Sequence, residues 1–250
     1  EGDGDLDLYV CSGGSEFLPD APELSDRIYL NEGGRFADSV RFPPANQSAS
    51  CVRPCDFDQD GDMDLFVGSR LINGAYPASP TSCLLENQDG QLTHSKVIES
   101  ALLSLGMISD AQWADMNGDG WQDLILVGEW MPISVLYNEQ GSFSEGNLVQ
   151  TPQSSGWWQS LKIADMDGDG DLDMVAGNMG HNSRLQTTPE QPLYIVNEDL
   201  DQNGSLDPLI GQFYQNEAKQ WALFPLHTRD DMVGQLVSVK IHYLQYKDFA

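Results

Sequence analysis

Residues 56–65 read DFDQDGDMDL and set five carboxylates into nine residues around a single glycine. Like charges at this density repel, and neither a core nor an ordinary turn asks for them. The pattern returns as DMNGDGWQDL at 115–124, DMDGDGDLDM at 165–174 and DLDQNGSLDP at 199–208. The chain also opens on the tail end of the same pattern, EGDGDLDL at 1–8. A repeated charge cluster built around a glycine points to a cation.

With Asp56 as position 1, Asp58 and Asp60 stand at positions 3 and 5, Gly61 at 6, Asp62 at 7 and Asp64 at 9. Alternate residues of a tight loop turn their oxygens inward, and the glycine permits the sharp bend. The same positions are Asp115, Asn117, Asp119, Trp121 and Asp123 in the second full loop, and Asp165, Asp167, Asp169, Asp171 and Asp173 in the third. They are Asp199, Asp201, Asn203, Ser205 and Asp207 in the last, while Asp3, Asp5 and Asp7 remain of the first. Position 7 varies freely, as it can if it offers only its backbone carbonyl. Position 9 is Asp every time. Hard oxygen donors in a flexible loop suit Ca²⁺, whereas Mg²⁺ demands a tighter octahedron and transition metals prefer nitrogen or sulfur. About three to five calcium ions are expected. Because Asn117 keeps an oxygen but loses a charge, the 115 loop is expected to release calcium before the 56 and 165 loops.

Two competing readings fail. An EF-hand needs a bidentate acid at position 12, but those positions are Val67, Leu126 and Ala176. A single Asp-Gly-rich stretch is readily a turn and nothing more, but five sharing the position-9 Asp are not explained that way.

The charge balance narrows the partners. The formal net charge is -27, from 39 acidic and 12 basic residues. Nucleic acid and anionic membrane both need a basic surface, so neither is expected. No apolar run reaches the roughly 18–20 residues that span a bilayer, so no direct membrane insertion is expected, and no signal peptide is visible. Cys11, Cys51, Cys55 and Cys83 are too irregularly spaced for a disulfide framework or a zinc site. Buried free thiols and one or two disulfides both remain open.

The full loops are separated by 59, 50 and 34 residues, an irregular repeat that predicts an array or propeller. Strand-like runs lead into the loops (SCVRPC, DAQWA, SLKIA), and buried-looking strands follow them (DLYVC, DLFVG, DLILVG, DMVAG). A second strand and a hairpin signal come next, in RIYLNEGGRF, CLLENQDGQL and SVLYNEQGSF. A unit of about 50 residues with about four short strands is a propeller blade. The runs after the loops barely alternate, as expected for strands covered on both faces. The expected fold is therefore all-β, a β-propeller of four-stranded blades over 1–228, divided at about 1–49, 50–108, 109–158 and 159–228. A helical segment is expected over 229–250, capped by Thr228, with Asp230 and Asp231 in its first turn and Met232, Leu236, Val239 and Tyr243 on one face.

These residues carry a resemblance. The chain resembles the FG-GAP/VCBS repeat proteins, whose D-x-D-x-D-G-x-x-D loops bind calcium in integrin-α-like β-propellers. The closer likeness is to bacterial members related to the cartilage acidic protein group, through CVRPCDFDQDGDMDLFVGSR, ADMNGDGWQDLILVGEWMP, SGWW, AGNMGHNSR and PLHTRDDMVGQL. The resemblance implies a seven-bladed propeller, an exported location (cell surface, periplasmic or extracellular) and calcium ligands at the loop positions named above. The chain departs from the motif at Glu1, which stands at position 3 of a first loop lacking position 1, and at Asn203 in the last loop. With four full loops and the remnant of a fifth, it would form a partial propeller of about four to five blades. Self-association through open propeller ends, or closure of one end by the 229–248 segment, is expected to follow. The 34-residue gap before Asp199 suggests that this loop decorates the fourth blade.

The expected function is a binding or adhesion module for a protein or glycan, with calcium structural. A propeller enzyme acting on polysaccharide and a purely structural segment of a larger surface protein are the alternatives. No catalytic constellation is found. Carboxylates held on calcium are poor acids and bases, and His94, His181, His227 and His242 share no spacing with a nucleophile. His181, beside Asn178, Asn182 and Arg184, reads as a satisfied loop histidine. Trp113, Trp130, Trp157 and Trp158 read as core before sugar platform. The sequon at Asn46 reads as idle.

Overall fold

The computed structural model describes residues 4–18, 21–36, 40–41, 47–103, 105–180 and 183–242. Glu1, Asp3, Asn46, His181, Asn182 and Tyr243, singled out above, lie outside these. The fold is all-β, a succession of antiparallel sheets followed by short helices. The chain divides into two compact units, residues 1–74 with 78–180, and residues 75–77 with 181–250.

In the first unit, β1 (Leu8–Val10), β2 (Arg27–Tyr29) and β3 (Val40–Arg41) form one sheet in that order. A second sheet runs β4 (Gln47–Cys55), β5 (Asp64–Ile72), β6 (Cys83–Gln88) and β7 (Gln91–His94), the four-stranded meander expected of a blade. After a one-turn helix, α1 (Glu99–Leu102), come β8 (Met107–Ala114), β9 (Asp123–Met131), β10 (Ser134–Leu136) and β11 (Leu148–Gln150). β9 pairs with β8 and β10, and β10 pairs with β11. β12 (Gly156–Ala164) touches β9 at its start, through Gly156↔Met131 and Trp157↔Glu129, and then pairs with β13 (Asp173–Asn178). β4, β8 and β12 begin at 47, 107 and 156, so the sequence boundaries at 50, 109 and 159 fall inside strands.

Packing follows the patterns. Phe57, Phe66, Leu84, Ile108, Leu124, Leu126 and Phe143 build one core from the second and third sheets. Ile125, Val127, Val135, Leu161 and Ile163 build another, joining β9 and β10 to β12. β9 sends successive residues Leu124–Val127 to alternate cores and buries all of them, which is why its sequence does not alternate. Side chains also tie neighbouring sheets. Arg53 pairs with Asp110 and donates from Nε to the Ala111 carbonyl (2.6 Å), and Asp110 Oδ2 accepts the Leu161 N–H (2.8 Å).

The hairpin signals split. Asp89 and Gly90, both at positive φ (54° and 85°), make a tight β6–β7 turn. Within SVLYNEQGSF the same two-residue turn forms at Gln140 and Gly141 (φ 56° and 80°), closed by the Glu139 N–H to the Ser142 carbonyl (2.8 Å), but no strand follows it directly and β11 begins only at Leu148.

In the second unit, β14 (Tyr194–Val196), β15 (Leu209–Gln215) and β16 (Trp221–Pro225) form a sheet of their own in that order. This corrects the expectation that the 199 loop decorates the fourth blade. Tyr194–Val196 supplies a leading strand, so the loop joins β14 to β15 of a separate sheet. Thr228 caps α2 (Arg229–Gln235) in a reciprocal capping box with Asp231, as the sequence indicates. The helix then breaks at Leu236 (φ −121°, ψ 96°) and resumes as α3 (Val237–His242). Gly234 and the β-branched Val237 weaken helix propagation at the break, while Met232, Leu236 and Val239 still share one apolar cluster.

All four cysteines are free thiols. Burial pushes Cys11, Cys55 and Cys83 up to about 12, and Cys51 in the same direction, so they pack as small apolar groups.

Candidate metal centres

Each full loop is a connection between two antiparallel strands: β4 to β5, β8 to β9, β12 to β13 and β14 to β15. The sequence folds this way locally because position 1 gathers the backbone. Asp56 Oδ1 and Oδ2 accept the N–H groups of Asp60 (3.1 Å) and Gly61 (3.2 Å). Asp115, Asp165 and Asp199 repeat this, taking the position-6 glycine N–H at 2.8, 3.1 and 2.8 Å. Positions 4 and 6 both adopt positive φ: Gln59 with Gly61, Gly118 with Gly120, Gly168 with Gly170 and Gln202 with Gly204. Only the second of these bends is marked by a glycine in every full loop, since position 4 is glutamine in two of them.

Position 3 accepts the position-5 N–H through Asp58, Asn117, Asp167 and Asp201. Position 5 turns an oxygen to the position-7 N–H through Asp60, Asp119, Asp169 and Asn203, which reach Asp62, Trp121, Asp171 and Ser205. Position 9 reaches back across the loop. Asp64, Asp123, Asp173 and Asp207 accept the position-2 N–H of Phe57 (3.3 Å), Met116 (2.9 Å), Met166 (2.9 Å) and Leu200 (2.9 Å). Asp64 and Asp123 are buried at the strand starts and Asp207 is buried two residues ahead of β15, whereas Asp173 is half-buried.

This framework brings together Asp56, Asp58 and Asp64; Asp165, Asp167 and Asp173; and Asp199, Asp201 and Asp207. In each group one oxygen per residue lies within 4.8 Å of the others. Position 5 stands outside these groups of three. The 115 loop has the same backbone arrangement with the Asn117 amide oxygen at position 3. In the first loop Asp5 Oδ2 accepts the Gly33 N–H (3.0 Å) and Asp7 Oδ1 accepts the Asn31 N–H (2.8 Å).

Hydrogen bonds alone account for acids at single positions of a loop. They do not account for three carboxylates converging, since each like-charged pair at 4.8 Å costs about 1–3 kcal/mol between water-like and surface-like dielectrics. The strain shows at Asp64, which burial and the adjacent Asp58 and Asp60 push up to about 6 against its backbone hydrogen bonds. Burial raises Asp123 and Asp58 in the same direction. The donors are all oxygen, and a hard divalent cation fits them.

A family model for the FG-GAP-like repeat matches residues 1–67 and 115–176. The chain belongs to the FG-GAP-like repeat family. The matched stretches contain the 56, 115 and 165 loops and the first loop's remnant, and the repeats support a β-propeller-like fold. No curated protein matches the chain.

A second set of site residues went unread in the sequence. Asn31, just past β2, Asn87, near the end of β6, and Asn138, just past β10, donate their backbone N–H to Asp7, Asp64 and Asp123 (2.8, 2.8 and 2.9 Å). Their side chains donate to the position-8 carbonyls of Leu6, Met63 and Gln122 and accept from Gly34, Gly90 and Gly141. The signal was the N-x-x-G in YLNEGG, LENQDG and LYNEQG, which reads as a hairpin turn and is also the clamp on the position-9 Asp. Position 7 has a related use, since Asp62 Oδ2 accepts the Asp89 N–H (2.9 Å) in the next turn.

The other candidates are dispersed. Trp113 donates to the Arg53 carbonyl (3.1 Å) and Trp158 to the Ser154 carbonyl (2.8 Å), both against the cores. Trp130 meets Trp157 edge to face at 5.1 Å. His94 is exposed on β7, His227 is half-buried ahead of α2 and His242 is exposed at the end of α3.

Proposed function

We propose that the chain is a calcium-stabilised, exported binding or adhesion module whose ligand is a protein or a glycan. The observation that supports calcium is the convergence of carboxylates from positions 1, 3 and 9 on a backbone that already holds each of them. Asp56, Asp58, Asp60 and Asp64, with the position-7 carbonyl of Asp62, would hold one ion, and the equivalent residues of the other loops would hold theirs. Bound there, calcium supplies positive charge that offsets the repulsion. The chain's residues do the rest: position 1 fixes the loop backbone, and position 9 ties the loop to the start of the next strand.

A structural role for the ion is supported by where the loops sit, between strands and beside core residues such as Phe57, Phe66 and Leu124. An ion that binds only the folded state adds RT ln(1 + [L]/Kd), about 2.7 kcal/mol per site at a hundredfold excess over Kd. Thermal unfolding in EDTA and in millimolar calcium tests this. A melting temperature that rises by several degrees with calcium is expected, and an unchanged one overturns the calcium reading. A glycan array run with and without calcium then separates a lectin from a module that recognises protein.

A further inference from the structure

We propose that the 56 and 115 loops bind calcium as one positively coupled pair, an inference that rests on the calcium reading above. Two hydrogen-bonded routes join them. The buried route starts at Asp64, whose Oδ2 accepts the Phe57 N–H (3.3 Å). The Phe57 carbonyl accepts from Asn138 Nδ2 (2.8 Å), and the Asn138 N–H donates to Asp123 Oδ1 (2.9 Å). The two position-9 carboxylates are thus linked through the backbone of one residue, Phe57, and one asparagine. Phe57 is 1% exposed and Asn138 0%, so water does not substitute for these bonds. The exposed route runs from Gln59 Nε2 to the Gly120 carbonyl (2.9 Å), joining position 4 of one loop to position 6 of the other.

Packing holds the same seam. A Cβ on Gly141 would lie 3.1 Å from the Asp58 Cβ and 3.4 Å from its Cα, so the turn that Asn138 closes sits directly on the 56 loop. Phe57 also packs on Phe143 at 5.8 Å between ring centroids. The sign of the coupling follows. Ordering the 56 loop fixes the Phe57 peptide, which fixes Asn138, which presets Asp123 for the second ion. A loop ordered in advance costs less to fill, so each site raises the affinity of its neighbour, and linkage makes the effect reciprocal.

Trp121, within the 115 loop, sensitises terbium bound beside its indole. That ring also lies near Asp58 across Gly141, so the part of the luminescence lost in Asp119→Ala at saturating terbium identifies the 115-loop signal. Calcium displacement of Trp121-sensitised terbium luminescence gives the 115-loop affinity in the wild-type chain and in Asp56→Ala, which disables the 56 loop from its exposed side. Asp56→Ala is expected to weaken calcium at the 115 loop about fivefold or more, the lower end of ordinary coupling. In an Asn138→Ala/Gln59→Ala background, which removes the side-chain links and keeps the carboxylates, the further effect of Asp56→Ala is expected to shrink to less than about twofold. Near-UV circular dichroism confirms that each variant is folded. Where a variant unfolds, the milder Asp58→Asn with Gln59→Ala replaces it in the same cycle. Equal 115-loop affinity with and without Asp56, or the same loss in both backgrounds, overturns the coupling. No displacement of terbium by calcium in the wild-type chain overturns the calcium reading instead.

Discussion

The 115 and 165 loops are close in sequence pattern and differ in what surrounds them. The 165 loop is the richer in charge, with Asp at positions 1, 3, 5, 7 and 9, while the 115 loop has Asn117 at position 3 and Trp121 at position 7. Charge alone ranks the 165 loop as the stronger site. The 115 loop, however, leads into a strand that is buried almost throughout, and its Asp123 is 0% exposed with both oxygens held by backbone N–H groups. Asp173 is half-buried and accepts the Met166 N–H, and the strand it begins leaves Val175 51% exposed. One loop is the richer in carboxylates and the other is the more firmly held by its surroundings. Position 9 of this motif is therefore both a candidate ligand and a structural clamp, in proportions that the surroundings set.

The largest expected effect separates those two roles. In millimolar calcium, Asp123→Ala should cost about 4 kcal/mol, from one lost site plus the buried Asn138 N–H and the half-buried Met116 N–H left without an acceptor. Asp173→Ala should cost about 3 kcal/mol, because water can reach the Met166 N–H. Urea unfolding of the two variants measures the difference, and equal losses would assign Asp123 no structural share.

A smaller effect sharpens the cost of burying charge. Asp64 is held up at about 6 and Asp123 is raised, against an unfolded value of about 3.9. Between those values the native state holds more protons than the unfolded one, so stability without calcium should fall as pH rises from about 4 to 6. With calcium the slope should reverse, since protonating the same carboxylates weakens the site. Asp64→Asn should flatten the calcium-free slope. Melting temperatures across this pH range in EDTA check the sign.

The smallest effect concerns charge within the preorganised loop. Asn117→Asp gives the 115 loop the carboxylate of its neighbours at an exposed position. It should tighten calcium there by less than about tenfold and lower stability in EDTA by about 1 kcal/mol, because the new charge faces Asp119 where the Asn117 amide donated a hydrogen bond. A calcium titration that leaves the wild-type 115 loop as the last to release its ion would show preorganisation outweighing ligand charge.

Much of this was legible in the chain. Periodic Asp and Gly residues made the loops recognisable because their bonds are local: position 1 to position 6 spans five residues, and a tight bend requires the same residue types wherever it occurs. The strands were legible for the same reason, through short apolar runs beside each loop. Thr228 and Asp231 announced a helix start because a capping box is complete within four residues.

The rest depends on which residues the fold brings together. Asn138 lies 81 residues from Phe57, and its amide bond to that carbonyl has no trace in local sequence. Asn87 and Asn138 read as ordinary turn residues until the turn is seen against the Asp that it clamps. Two loops with the same motif look equivalent in a list of residues, and only packing makes Asp123 fully buried and Asp173 half-buried. The 199 loop likewise gained its own sheet because Tyr194–Val196 found a partner in β15, a choice made by hydrogen bonds across the chain. Local chemistry is set by spacing along the chain, whereas burial and coupling are set by distance in space.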